Sequence, residues 1–243
     1  MSVNWDWVGK EFNVKVLFSV AGVASQILIQ SRKEESFLLV DAGDGIVRDL
    51  LELPGRIFEK INTIAITHGH FDHVGGIFSL LSIFRLVNRS ETLTIISPPD
   101  NSNLKNMINV FTEYNTAHQT FDINYVETTD KSFKFKPFTI TSFLVQHRSS
   151  LSPPGKKMSA VGYKISKKDE TILYTGDTGY FDQLKILVKG VDLALIEATF
   201  IEKKEDYHLT LFEAKKLSEL AKDYILVHVP THIHFQNLKK GKD

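Results

Sequence analysis

The segment ITHGHFDHVGG, residues 66–76, places three of the nine histidines of the chain and one aspartate within six positions. Such crowding suits a metal site, because a metal ion binds neutral imidazoles side by side, whereas three imidazolium cations in one small volume would repel one another. In an extended segment, His68 and His70 point to the same side and can reach one ion. Asp72 and His73 follow on a turn and can reach another. The spacing therefore favours two metal ions over one.

The residues around this motif predict how it is positioned. A short apolar run at 61–67 predicts a buried strand before the histidines, and apolar residues at helical spacing in 74–88 predict a helix after them. Gly69, Gly75 and Gly76 would let the backbone turn sharply without side-chain conflict. The motif is therefore expected at a strand-to-helix junction.

The rest of the chain alternates between strand and helix patterns. Thr210 and Glu213 have the spacing of a capping box at the start of the last predicted helix. The predicted strands are 13–20, 25–30, 36–45, 91–97, 121–127, 132–138, 137–147, 159–166, 170–178, 191–200 and 224–229, and the other predicted helices are 101–115, 179–190 and 210–223.

Composition limits the possible functions. With 243 residues, 42% of them hydrophobic, the chain is long enough for one α/β domain over residues 1–243. Lys plus Arg and Asp plus Glu each number 29, so no global charge steers the protein to nucleic acid or anionic lipid. The absence of cysteine excludes disulfides, thiolate metal sites and thiol nucleophiles. Without an apolar stretch long enough for a bilayer or a signal-peptide pattern, we expect a cytoplasmic protein with no membrane partner.

The pattern His-x-His-x-Asp-His after a strand, together with ILYTGDTGY at 172–180, resembles the metallo-β-lactamase fold superfamily. The resemblance extends over most of the chain. It implies an α/β fold, a four-layer αβ/βα sandwich with two mixed sheets flanked by helices. It also implies a dinuclear metal site.

The resemblance adds three ligands to the local motif. His147 completes the first ion, His228 completes the second, and Asp177 lies between the ions. His232 and His234 alternate like ligands and remain alternatives to His228 as the last one. The predicted metal ligands are therefore His68, His70, Asp72, His73, His147, Asp177 and His228. Zinc suits nitrogen-rich ligands best, although manganese or iron can occupy such sites.

Other segments resemble the ribonuclease Z and phosphodiesterase branch, notably FLLVDAGDGIVRDLLE at 37–52 and IEATF at 196–200 followed by HLT. The resemblance implies that Asp41 orients the ligand loop, with turn capping as the alternative. It also implies that His208, supported by Glu197, transfers a proton to the leaving oxygen, as a general acid would. We assign Asp72, His208 and Glu197 as the catalytic residues.

The spacing of the ligands restricts the substrate. Only 29 residues separate His147 from Asp177, too few for the long arm with which ribonuclease Z enzymes clamp transfer RNA. Arg148, Lys156 and Lys157 form a basic loop that could grip a phosphate, with solvated surface charge as the competing interpretation.

The predicted function is a dinuclear metal-dependent hydrolase of phosphodiester bonds, acting on RNA or a smaller phosphodiester. The alternatives are a hydrolase of lactone, thioester or β-lactam bonds with the same ions, and a catalytically silent metal-binding scaffold. The resemblance also allows a homodimer.

Overall fold

The computed structural model of the chain describes residues 3–114, 117–147, 159–203 and 205–230. By the density of its contacts the chain divides into two compact units. Unit 1 consists of Met1–Phe18 and Gly22–Thr128, and unit 2 of Ser19–Ala21 and Thr129–Asp243. The expectation of a single domain over 1–243 stays a prediction. Among the described residues, no helix combines the length and apolar character needed to cross a bilayer.

Within the described part of the chain, the first sheet contains seven strands, and their order in the sheet is their order along the chain. The β3–β4 pair is antiparallel, and β4, β5, β6 and β7 run parallel to one another. The strands are β1 (Trp7–Val8), β2 (Phe12–Val20), β3 (Ala24–Ser31), β4 (Ser36–Val40), β5 (Ile61–Ala65), β6 (Leu93–Ser97) and β7 (Ile123–Glu127).

Helices cover the parallel part of this sheet. They are α1 (Ile46–Leu51), a 3-10 helix (Ile57–Lys60), α2 (Phe71–Val74), α3 (Ile77–Leu86) and α4 (Ser102–Tyr114). Strand residues Leu39, Ile64 and Ile95 pack with Leu80 of α3 and Phe111 of α4 in one fully buried apolar core. Burial of this apolar area is the main favourable contribution to the stability of unit 1.

The second sheet has six strands among the described residues, in the order β13-β12-β11-β10-β9-β8. Its strands are β8 (Ser132–Phe135), β9 (Phe138–Leu144), β10 (Val161–Lys167), β11 (Glu170–Tyr174), β12 (Leu193–Glu197) and β13 (Tyr224–Val227). Helices α5 (Gln183–Val188) and α6 (Leu211–Ser218) pack on it, with Leu184 and Leu217 against strand residues Leu173, Ile196 and Leu226.

Strand direction determines where the predicted site residues collect. In unit 1 the parallel strands β4 and β5 lead directly into Asp41 and the histidine motif. In unit 2, β11, β12 and β13 are parallel, and β9 has the same direction because it is antiparallel to β10, itself antiparallel to β11. The carboxyl ends of strands with one direction meet at one edge of a sheet, which is where α/β folds place their sites.

Every predicted strand overlaps an observed one, although the predicted strands 36–45 and 170–178 run past the ends of β4 and β11. The helix predicted over 74–88 is found as α3, which begins three residues later because Val74 ends the separate helix α2 and Gly75 and Gly76 lie between the two. A Cβ atom on Gly76 would lie 2.3 Å from the carbonyl oxygen of Gly43, so this close packing needs a residue without a side chain. Sequence reasoning also missed β1, α1 and the 3-10 helix, all of which are short.

The capping box at the start of α6 is formed as predicted. The Thr210 hydroxyl accepts from the backbone N–H of Glu213, and the Glu213 carboxylate accepts from the backbone N–H of Thr210.

We expect Thr210→Ala to lower the free energy of unfolding by about 1 kcal/mol, because the substitution leaves the helix donors of the first turn without the side-chain acceptor. Urea unfolding followed by circular dichroism measures the change. Thr210→Ser keeps the hydroxyl and serves as the matched control. Equal stability of the alanine and serine variants would contradict the assigned role of the cap.

Candidate metal sites

The amino-terminal cluster forms where β5 ends. His68 Nε2 lies 3.0 Å from His70 Nδ1, and His68 is fully buried while His70 is half-buried. Two nitrogen ligands on one tetrahedral zinc ion, each at 2.0–2.1 Å, would be separated by about 3.3 Å. The pair therefore has the spacing and the chemistry of two ligands to one divalent ion.

Asp72 and His73 lie on α2, directly after these histidines. The Oδ2 atom of Asp72 lies 3.7 Å from His73 Nε2 and accepts a hydrogen bond of 3.0 Å from the backbone N–H of Gly22. Gly22 has a φ of 69°, a left-handed conformation that glycine adopts at little cost. Loop geometry thus holds the Asp72 carboxylate beside the imidazole of His73.

Asp41 lies under this motif, one residue after β4, and is fully buried. Its Oδ1 accepts from the backbone N–H of Thr67 at 2.8 Å, and its Oδ2 accepts from His73 Nδ1 at 2.8 Å. The Thr67 hydroxyl also reaches both carboxylate oxygens, at 3.0 and 2.9 Å. Asp41 therefore connects the backbone of the motif to one of its imidazoles, and its role in orienting the ligand loop stays a prediction.

The carboxy-terminal cluster collects residues from three strand ends of unit 2. His147 follows β9, Asp177 follows β11 and His228 follows β13, and each is at most 3% exposed. Asp177 Oδ2 lies 3.4 Å from His228 Nε2 and 3.9 Å from His147 Nε2. The Nδ1 atom of His147 lies 3.2 Å from the backbone carbonyl of Tyr207, so Nε2 is the nitrogen with which this imidazole could bind a metal ion.

His208 has a different partner within the same cluster. Its Nδ1 donates to Oε1 of the fully buried Glu197 at 3.0 Å and lies 3.9 Å from Asp177 Oδ2. Burial lowers the pKa of His208, but the charge of Glu197 and its hydrogen bond outweigh burial and raise the pKa from 6.5 to about 9. Because Nδ1 donates its hydrogen bond to Glu197, His208 is better suited to carrying a proton than to binding a metal ion through that nitrogen.

Gly179 brings the loop of Asp177 close to the loop of His208. A Cβ atom on Gly179 would lie 1.7 Å from the carbonyl oxygen of Asp206, so only glycine fits there. The ring of His208 also stacks on that of His228, with centroids 5.5 Å apart and planes 9° apart. The close packing at Gly179 holds the loop of Asp177 against the loop of His208, and ring stacking holds His208 against His228.

Sequence reasoning missed Thr67 and Thr199, each of which contacts a carboxylate and two imidazoles. Thr199 Oγ1 lies 2.6 Å from Glu197 Oε2 and 2.7 Å from His228 Nδ1. The spacing in the sequence could have indicated Thr199, because it follows Glu197 by two positions. Side chains two positions apart along an extended chain point the same way.

Several predicted residues lie outside the part of the chain that the structure describes. The basic residues Arg148, Lys156 and Lys157 stay predictions for substrate binding. His232 and His234 also fall outside it, so the choice of His228 as the last ligand stays a prediction supported by its contacts with Asp177 and Thr199.

Each of the two sheets carries histidines and carboxylates at the edge where its parallel strands end, as expected of a metal-binding α/β protein. Comparison with known proteins identifies the family. The family model of the "Beta-lactamase superfamily domain" matches residues 37–233. The chain therefore belongs to the beta-lactamase superfamily. A ribonuclease Z of Bradyrhizobium is 30% identical over 229 residues, covering 74% of this chain and 75% of the relative.

Solved structures agree on the fold. The metallo-beta-lactamase fold protein YhfI of Bacillus subtilis is similar with a TM-score of 0.73 and 22% identity, covering 93% of this chain and 88% of that one. The short form of human tRNase Z has a TM-score of 0.73 and 23% identity, with 90% and 93% covered. The predicted superfamily, α/β fold with two mixed sheets, and class of metal-dependent hydrolase are confirmed.

We expect Asp41→Asn to weaken metal binding by about 10- to 100-fold, the usual effect of losing a partner that orients a ligand. Thr67 N–H and His73 Nδ1 donate to different oxygens of Asp41, and in asparagine one of these positions becomes an NH₂ group, which cannot accept. The same loss should lower the free energy of unfolding by about 1–3 kcal/mol. Competition with a chelator measures the affinity. The exposed Asp122→Asn is the control, and an Asp41→Asn protein with wild-type affinity would refute the role.

Proposed function

We propose that this protein hydrolyses phosphodiester bonds with divalent metal ions, and that His208 donates the proton that the leaving oxygen requires. The observation that carries the proposal is the imidazole of His208, hydrogen-bonded to buried Glu197 at 3.0 Å and adjacent to Asp177. Similarity to a protein named ribonuclease Z supports the substrate class.

Both clusters fit divalent ions by their donor sets and spacings. We propose that the ligands are His68, His70, Asp72 and His73 of unit 1 and His147, Asp177 and His228 of unit 2. Ions held there would lower the pKa of bound water and polarise the phosphoryl oxygens. The number of ions and their identity, with zinc as the best match for these ligands, belong to the proposal.

The protein's own contribution to the chemistry is a positioned proton. Glu197 accepts at Oε1 from Thr178 N–H at 2.5 Å and from His208, and at Oε2 from the Thr199 hydroxyl. A carboxylate fixed in this way orients the imidazole and stabilises its protonated form. With Nδ1 bonded to Glu197, the proton on Nε2 is the one that His208 can transfer to an alkoxide.

The substrate proposal includes RNA and smaller phosphodiesters. Of the 29 residues between His147 and Asp177, residues 159–176 contain β10, β11 and their connection. Residues 148–158 are then all that remains for an insertion, far fewer than a long RNA-clamping arm would need. The homodimer and the cytoplasmic location stay predictions.

Leaving-group dependence tests the role of His208. An alkoxide leaves poorly without a proton, whereas p-nitrophenolate leaves readily without one. We expect His208→Ala to lower kcat by about 10²- to 10⁴-fold on a dinucleoside phosphate and much less on bis(p-nitrophenyl) phosphate. Steady-state rates of the metal-loaded protein provide the measurement.

The exposed His118→Ala is the matched control and should retain wild-type rates on both substrates. An equal loss on the two substrates would exclude proton donation by His208. Turnover of a lactone or β-lactam without any phosphodiester turnover would overturn the proposed substrate class.

Metal content tests the ligand assignment. We expect the dialysed wild-type protein to retain two ions per chain, and His73→Ala and Asp177→Ala each to retain fewer, because each loses a ligand. Elemental analysis on protein of known concentration measures this, with His118→Ala as control. Undiminished metal content in both variants would show that these side chains are not ligands.

A further inference from the structure

The hydroxyl of Thr199 lies among three groups that can each form a hydrogen bond with it. Its Oγ1 is 2.6 Å from Glu197 Oε2, 2.7 Å from His228 Nδ1 and 3.2 Å from His208 Nδ1. The carbonyl oxygen of His228 is a weaker fourth neighbour at 3.3 Å. A hydroxyl has one proton and two acceptor lone pairs, so these contacts must share a single donated hydrogen.

Counting the protons in these contacts shows which ring nitrogen of His228 carries the hydrogen. A carboxylate oxygen can only accept, so at 2.6 Å the Thr199 hydroxyl donates to Glu197. Toward His228 the same oxygen must then accept, which requires a proton on Nδ1. The contact from His228 Nε2 to Asp177 Oδ2 is 3.4 Å, longer than a good hydrogen bond. The lone pair of His228 is therefore on Nε2, the nitrogen nearest Asp177.

Unit 1 repeats this arrangement with different residues. The hydroxyl of Thr67 lies 2.9 Å from Oδ2 of buried Asp41, and 3.1 Å from His68 Nδ1. It therefore donates to the carboxylate and accepts from His68. Asp41 itself accepts from His73 Nδ1. His68 therefore has its proton on Nδ1 and its lone pair on Nε2, so in the 3.0 Å contact between His68 Nε2 and His70 Nδ1 the donor is His70. Because His73 donates from Nδ1 to Asp41, the lone pair of a neutral His73 is also on Nε2.

We propose that Thr67 and Thr199 are positioning residues that set the tautomer of the metal-binding histidines, each by donating its one proton to a buried carboxylate. A neutral imidazole can bind a metal only through the nitrogen that lacks a proton. The threonines thus present His68 and His228 with the Nε2 lone pair before any ion arrives. The inference rests on the proposed metal role of these histidines, but it makes a statement about the metal-free protein that can be tested alone.

Long-range ¹H–¹⁵N correlation spectra of the metal-free protein test the tautomer directly, since they separate a protonated ring nitrogen from one with a lone pair. At a pH where His228 is neutral, we expect the proton on Nδ1 in the wild type. In Thr199→Val, a methyl group replaces the hydroxyl and Nδ1–H loses its acceptor. The proton should then shift to Nε2, which faces the carboxylate of Asp177.

Metal affinity provides the second measurement. By chelator competition we expect Thr199→Val to bind divalent zinc about 10- to 100-fold more weakly, and Thr199→Ser to return to the wild-type value. Thr139→Val, a half-buried strand threonine outside both clusters, is the control for the loss of a hydroxyl and should bind like wild type. The pair Thr67→Val and Thr67→Ser repeats the test on His68.

The outcomes separate this inference from the proposed function. A wild-type spectrum with the His228 proton on Nε2, or wild-type zinc affinity in Thr199→Val, would overturn the inference whatever the protein hydrolyses. A shifted tautomer with weakened zinc binding would support it even if no phosphodiester were turned over. If Thr199→Val failed to fold, the wild-type spectrum and Thr67→Val would still decide the question.

Discussion

Each of the two histidine clusters is built around a carboxylate that water cannot reach. Asp41 and Glu197 are both fully buried, and a buried carboxylate is tolerated only when donors satisfy its oxygens. In each case the donors are a backbone N–H, a threonine hydroxyl and an imidazole Nδ1. The need to satisfy the carboxylate thereby fixes the orientation of the histidines, since one set of hydrogen bonds serves both purposes. Removing the carboxylate would release the imidazoles it aligns.

The sheets bring these groups together across long separations in sequence. Asp41 follows β4 and Thr67 follows β5, and these two strands are neighbours and parallel. Glu197 ends β12 and His228 follows β13, again a neighbouring parallel pair. Parallel pairing puts both carboxyl ends at one edge, so Asp41 reaches Thr67 directly, and Glu197 is linked to His228 through the hydroxyl of Thr199. The apolar side chains within the strands determine the register of strand pairing. That register also determines which polar residues beyond the strand ends lie next to each other.

The sequence predicts those features of the structure whose residues lie close together along the chain. The motif at 68–73 is readable because its ligands lie within one strand end and one turn of helix, and the strands are readable from their apolar runs. His147, Asp177 and His228 were accessible only through family resemblance, because spacing alone does not show which strand ends are adjacent. Thr67 and Thr199 escaped notice because the role of a hydroxyl depends on which acceptors surround it in three dimensions. The break between α2 and α3 depends on a carbonyl oxygen of Gly43, more than thirty positions earlier.

Backbone strain coincides with these clusters. Asp41 has a φ of 57° and His228 a φ of 49°, in the left-handed region that residues with a Cβ atom seldom adopt. A conformation of this kind costs about 1–3 kcal/mol and persists only when surrounding contacts hold it. The backbone N–H of Asp41 donates to Ala65 O at 2.9 Å, and that of His228 donates to the Ser19 hydroxyl at 2.7 Å. The left-handed turn directs each side chain away from the course of its strand immediately after the last paired residue. Because the backbone is held in that turn, the directions of the Asp41 and His228 side chains are set without a metal ion. A site that is arranged before its ligand binds requires this property.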